Sequence, residues 1–88
     1  MKIKDGYILR EIAEIPVAVP VNDAARSFNG MIRLNSTGAF LWRLLERKME
    51  KEQLAEACVC RYRIDRSEAE KHVTEFLDLL RKNGLLDE

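Results

Sequence analysis

Two cysteines and a single histidine are the side chains of this 88-residue chain best suited to bind a metal or to act as nucleophile and base. Cys58 and Cys60 lie at i and i+2 of a predicted helix, so their thiols point to different faces. His72 has no Cys, Ser or His at the spacing of a metal or catalytic motif. A metal site built from these residues is one interpretation. We favour the simpler one, in which Cys58 is a core residue, Cys60 is more exposed and His72 is isolated.

The acidic residues and the glycines form no catalytic or phosphate-binding motif. Glu68, Glu70, Glu75 and Asp78 stand among Arg and Lys residues, as on a solvated helix face. The four glycines are dispersed along the chain, so the sequence has no glycine-rich phosphate loop. We therefore expect a protein that is not an enzyme and that uses no cofactor and no metal.

Charge and hydropathy restrict the partners and the compartment. The chain has zero formal net charge, which gives no general attraction to nucleic acid or to an anionic membrane. It has neither an apolar run of about 20 residues nor the apolar segment of a signal peptide. The sequence predicts one domain over residues 1–88, located in the cytoplasm, with reduced cysteines and neither nucleic acid nor membrane as partner.

The first third of the chain has the features of β-strands. An apolar segment runs from Tyr7 to Ile12, and a valine-rich segment at 16–21 is bracketed by prolines. Because proline cannot donate to a strand ladder, the second strand should begin and end at its prolines or place them on an unpaired side. A loop from 22 to 30 leads to a third strand at Met31–Leu34. These features predict an antiparallel sheet of three strands.

The remainder of the chain has helical periodicity, with helices predicted near residues 36–47, 51–61 and 66–83. Asn35 or Ser36 caps the first helix. Only three residues separate the last two helices, which indicates a helix-turn-helix corner. The fold class predicted is therefore α+β, with a three-stranded antiparallel sheet followed by three helices.

The sequence also predicts which faces of the first and third helices are buried and where the third helix begins and ends. Trp42 lies on a broad apolar face of the first helix and should be mostly buried. Asp65 caps the third helix, and Asn83-Gly84 ends it with Gly84 in the left-handed conformation. The apolar stripe of the third helix comprises Ala69, Val73, Phe76, Leu77 and Leu80.

A helix-turn-helix corner raises the alternative of a DNA-binding regulator. A recognition helix needs basic and amide side chains, but the first turns of the third helix carry Glu68 and Glu70, which repel phosphate. A second alternative is a structural or assembly subunit that pairs through its sheet edge with another protein, or with itself as a homodimer.

Several segments, in this order and spacing, resemble the PqqD-like family of peptide-recognition domains, named for a pyrroloquinoline quinone synthesis protein. The segments are Gly6–Ile12, Phe28–Asn35, Leu34–Trp42, Tyr62–Asp65 and Asn83–Leu86. The resemblance implies a winged helix-turn-helix-like fold without catalytic activity. It also implies that the leader region of a ribosomally made precursor peptide adds to the third strand and packs against the third helix. A radical S-adenosylmethionine enzyme is then the usual partner that modifies the peptide.

Carried over to this chain, the resemblance assigns the peptide-binding residues to the third strand, the segment before it and one side of the third helix. They are Phe28, Met31, Ile32, Arg33, Leu34, Ala69, His72, Val73, Phe76 and Leu79. Two segments differ from the founding member of the family. That protein has a "Tyr-Pro-Glu-Gly" motif in place of residues 22–29 and a "Cys-Asp-Gly" motif in place of residues 45–48. The differences favour a peptide product other than the quinone.

Overall fold

The computed structural model describes residues 1–21 and 30–88. A three-stranded sheet precedes three helices, as predicted, and each helix begins and ends within two residues of the predicted bounds. The elements are β1 (Lys2–Ile3), β2 (Tyr7–Ile12), β3 (Ile15–Pro20), β4 (Ile32–Arg33), α1 (Ser36–Leu45), α2 (Lys51–Tyr62), α3 (Arg66–Lys82) and β5 (Leu86–Asp87). No helix in these residues is long and apolar enough to cross a membrane.

The main sheet is antiparallel, with strand order β2-β3-β4. Pro16 is the second residue of β3 and Pro20 is its last, close to the strand ends that the sequence predicted, and their positions fit the ladder. Pro16 and Pro20 stand opposite Glu11 and Tyr7 in pairs whose backbone groups point away from β2. The N–H groups that proline lacks are therefore not needed for the pairing of β2 with β3.

The turn between β2 and β3 consists of two residues in the left-handed region. Ala13 has φ = 52° and Glu14 has φ = 67°, between the paired residues Ile12 and Ile15. Positive φ at both positions is what a two-residue turn needs to match the twist of its strands. Neither residue is glycine, so the backbone strain costs roughly 1–2 kcal/mol per residue.

A second sheet, which the sequence did not predict, joins the two ends of the described chain. β1 pairs with β5, with Ile3 opposite Leu86. The end of α3 delivers β5 to this place through a glycine turn. Gly84 has φ = 69°, its N–H donates to the carbonyl of Arg81, and Leu85 N donates to Leu80 O at 2.9 Å. The predicted left-handed Gly84 is thus confirmed, and it returns the chain over the last turn of α3.

The core forms where α1 packs under the sheet and against α3. Trp42 has no solvent-exposed surface, which confirms the prediction that it is buried. Its Nε1 has no hydrogen-bond partner among the described residues. The apolar stripe of α3 is also confirmed, since all five of its residues are buried: Ala69, Val73, Phe76, Leu77 and Leu80.

The N-terminus of α3 supplies a test of this architecture. Asp65 Oδ1 accepts hydrogen bonds from Glu68 N and from Ser67 Oγ, both at 2.9 Å. These bonds, first the one from the Glu68 backbone, lower the pKa of Asp65. A lowered pKa in the folded state means that the stabilisation is present above the unfolded-state pKa and is lost as the pH falls through the folded one.

We expect the variant Asp65→Asn to keep the cap but to lose this pH dependence, because its side chain accepts the same hydrogen bond without a charge. The free energy of unfolding of the wild type should therefore exceed that of the variant most clearly above about pH 4, and less at lower pH. Urea denaturation across this range measures the difference. A difference that is independent of pH would contradict the role of the ionised Asp65.

Candidate functional site

Strand β4 forms one edge of the main sheet and leaves one of its sides unpaired within the described residues. Leu34 N donates to Pro16 O at 2.9 Å, and Arg33 stands opposite Val17. In an antiparallel ladder, residues whose backbone groups face the partner alternate with residues whose groups face away. The N–H and C=O of Arg33 therefore point away from β3, whereas those of Ile32 point towards it.

A groove of about 280 Å³ lies between this open side of β4 and helix α3. We call it the β4–α3 groove. Residues of β4 and the following turn form one wall, α1 forms the bottom and α3 forms the other wall. The lining residues are Arg33, Leu34, Asn35, Thr37, Gly38, Leu41, His72, Glu75, Phe76 and Leu79.

The turn from β4 into α1 positions the bottom of the groove. Asn35 Oδ1 accepts a hydrogen bond of 2.7 Å from Gly38 N, which begins the helix directly after the strand. A Cβ atom at Gly38 would lie 3.2 Å from Asn35 Oδ1, 3.4 Å from Leu34 Cβ and 3.6 Å from Phe76 Cδ1. Glycine thus lets the cap, the strand and α3 approach one another closely.

The bottom of the groove is apolar and its rim is polar. Leu41 and Phe76 belong to the buried core, and Leu79 packs against it. On the rim, His72 Nε2 lies 3.7 Å from Glu68 Oε1 on the same face of α3. Arg33 forms no ion pair within the described residues. A groove of this kind can hold apolar side chains while its rim contacts polar ones.

Five of the ten residues predicted to bind peptide line the groove together. They are Arg33, Leu34, His72, Phe76 and Leu79. Ile32 is half-buried beside them and packs against the core. Met31 precedes β4 and is 62% exposed. Their contact with a peptide remains a prediction.

Two predicted residues are not accessible in this structure. Ala69 and Val73 have no exposed surface, so they support the α3 wall from inside the core and cannot contact a ligand in the groove. The apolar stripe of a helix includes residues at its centre, which neighbours cover completely, and residues at its border, which they cover only in part. Phe28 lies outside the described residues.

Five lining residues were not predicted as site residues from the sequence, namely Asn35, Thr37, Gly38, Leu41 and Glu75. Three of them belong to α1, whose position relative to α3 depends on tertiary packing. One signal was available, because a glycine within the first turn of an apolar helix indicates a close approach.

The cysteines take the positions predicted for them. Cys58 is buried and Cys60 is exposed, and burial raises the pKa of the Cys58 thiol. A buried thiol with a raised pKa is a poor nucleophile and a poor ligand.

A larger cavity of about 590 Å³ lies between the β2–β3 hairpin and helices α1 and α2. Phe40 and Tyr62 pack edge to face there, with ring centroids 5.7 Å apart, and Arg61 lies 5.5 Å from the Phe40 ring. It borders β3, which is already paired on both sides, and not the open side of β4. The β4–α3 groove is therefore the better candidate for binding an extended chain.

An open strand edge beside an apolar helix groove is the arrangement of domains that bind extended peptides by strand addition. Comparison of the sequence with family models identifies one family of such peptide-binding domains. The chain belongs to the family of coenzyme PQQ synthesis protein D (PqqD), whose family model matches residues 17–86. The family resemblance inferred from the sequence is thereby confirmed.

Solved structures agree with this assignment. The chain is 26% identical to a protein in the structure "TbiB1 in Complex with the TbiA(beta) Leader Peptide", with a TM-score of 0.76 over 99% of this chain and 95% of that one. It is 17% identical to "Lasso peptide synthetase B1 complexed with the leader peptide", with a TM-score of 0.72 over 96% and 93% of the two chains. At this lower identity the likeness shows the fold alone. No curated protein matched the sequence.

Two residues of the α3 wall differ in burial, so their substitution should affect the free energy of unfolding differently. Phe76 is 5% exposed, so Phe76→Ala should lower the free energy of unfolding by about 3–5 kcal/mol through loss of packing. The His72 side chain is 37% exposed, and His72→Ala should change stability by no more than about 0.5 kcal/mol. Urea denaturation of both variants tests this. Equal stabilities would contradict the placement of Phe76 in the core.

Proposed function

We propose that this protein binds the leader region of a ribosomally synthesised precursor peptide by strand addition to β4 and presents it to a modifying enzyme. The observation that carries the proposal is that the N–H and C=O of Arg33, beside the β4–α3 groove, have no partner within the described residues. Membership of the PqqD family and the similarity to TbiB1, which was solved in complex with a leader peptide, support it.

Because side chains and backbone groups alternate along a strand, different residues of the peptide make different contacts. The peptide residue opposite Arg33 exchanges backbone hydrogen bonds with it. The neighbouring peptide residues, opposite Ile32 and Leu34, direct their side chains to the same face as those two residues, which is the face packed on the core and on α3. Backbone pairing thus supplies affinity, and the groove supplies selection of apolar side chains.

The energies are sufficient for a transient complex. Each backbone hydrogen bond contributes a net of about 0.5–1.5 kcal/mol, and each buried apolar side chain about 1.5–3 kcal/mol. Part of this is offset by the cost of ordering a flexible peptide. Two hydrogen bonds to Arg33, the further bonds that a peptide makes along the same strand edge, and one or two anchors then correspond to a dissociation constant around micromolar, which permits release after modification.

The protein itself performs no chemistry in this proposal. It holds the leader while the partner, a radical S-adenosylmethionine enzyme in our proposal, acts on another part of the same precursor in the cytoplasm. Binding of this protein to the enzyme would raise the effective concentration of the substrate without new contacts at the reacting residue.

NMR titration with the short peptide encoded beside the gene for this protein tests the proposal. Amide shifts should concentrate on residues 31–34 and 72–79. Shifts confined to α1 and α2, or none at saturating peptide, would refute the groove. A homodimer through the same edge would compete with the peptide, so light scattering should show a monomer in the complex.

Proline substitution separates the two sides of β4. Arg33→Pro removes an N–H that points away from β3 and should abolish binding, while Leu34 N can still donate to Pro16 O. Arg33→Ala keeps that N–H and should retain most of the affinity, which makes it the matched control. Ile32→Pro is unsuitable, because the N–H it removes faces β3 and the sheet itself would be destabilised. Circular dichroism must show that the proline variant is folded, and full binding by a folded Arg33→Pro would contradict strand addition.

A further inference from the structure

The face of the main sheet that points away from the helices carries a positive charge at its β4 edge, and this charge has no ion-pair partner within the described residues. Leu9, Ala18 and Ile32 pack with the core, so the side chains that alternate with them lie on the opposite face. Among the three strands, the only charged residues on that outer face are Arg10 and Arg33.

The two arginines belong to one row across the sheet. Arg10 pairs with Val17, and Val17 pairs with Arg33, so the three side chains lie side by side. Val17 is 5% exposed. Neither arginine forms an ion pair within the described residues. Arg33 is the last residue of this row, so its positive charge lies next to the position where a further strand would be added.

We propose that Arg33 selects an acidic residue at the peptide position directly opposite it. The inference rests on the proposed function and names the class of peptide it would take. Residues directly opposite in neighbouring strands have Cβ atoms about 5 Å apart and share a face of the sheet, so a carboxylate there meets the Arg33 guanidinium. The flanking peptide residues face the β4–α3 groove, so the recognised pattern is apolar, acidic, apolar.

Arg10 provides a matched control on the same face. Neighbouring strands are about 4.8 Å apart, so Arg10 lies roughly 14 Å from an added strand, counted over three spacings. This distance exceeds the Debye length of about 8 Å at physiological salt. Reversing the charge of Arg10 should leave selection of the central peptide residue unchanged.

The experiment is selection from a displayed library of random peptides, about twelve residues long, against the wild type, Arg33→Glu and Arg10→Glu. Peptides whose binding shifts the amide signal of residue 33 are taken as edge binders. Edge binders of the wild type and of Arg10→Glu should carry Asp or Glu between two apolar residues. Those of Arg33→Glu should carry Lys or Arg there. Each mismatched charge should weaken binding about two- to five-fold.

The wild type alone provides a second measurement if Arg33→Glu fails to fold. Replacing the central Glu of a selected peptide by Gln should weaken binding about two- to five-fold at low salt and less at high salt. Edge binders without an acidic preference, or a Gln peptide that binds as well as the Glu peptide, would overturn this inference and leave the proposed function standing. A library without edge binders would overturn both.

Discussion

The hydrogen bond from Gly38 N to Asn35 Oδ1 fixes the junction between the last strand of the sheet and the first helix. On one side of it, Leu34 N ties the end of β4 to Pro16 of β3. On the other side, α1 enters the core at once with Leu41 and Trp42. Because only Leu34 and Asn35 separate the strand from the helix, the position of α1 fixes how far β4 stands from α3. The groove width therefore depends on this one cap and on the absence of a side chain at Gly38.

The sequence predicted the elements well because their signals are local. Asp65 and Gly84 mark helix ends through hydrogen bonds to neighbouring residues, and the stripe of α3 has the helical period over its length. β1 and β5 were not predicted because two-residue strands have no period, and because Ile3 pairs with Leu86, a residue far from it in the sequence. The candidate site was predicted in part for the same reason. Ala69 and Phe76 look alike as members of a stripe, and only packing shows that one is enclosed and the other borders the groove.

Phe76 and Leu34 serve the core and the groove together, so stability and peptide binding cannot vary independently at these positions. Arg33 differs from them, since its backbone and side chain are both directed away from the core. A small domain has few residues to spare, and the backbone of an edge strand offers binding groups without requiring further exposed apolar surface. The domain can therefore use most of its apolar side chains for a small core and still bind a peptide through the backbone of β4.

The buried Trp42 has a practical consequence for solution work on this domain. It is the only tryptophan in the chain, and its indole is shielded from water while lying outside the residues that line the groove. Its fluorescence emission should therefore be blue-shifted in the native protein and move to longer wavelength when the core opens. The intrinsic chromophore reports on the integrity of the fold, whereas occupancy of the strand edge needs a label placed elsewhere.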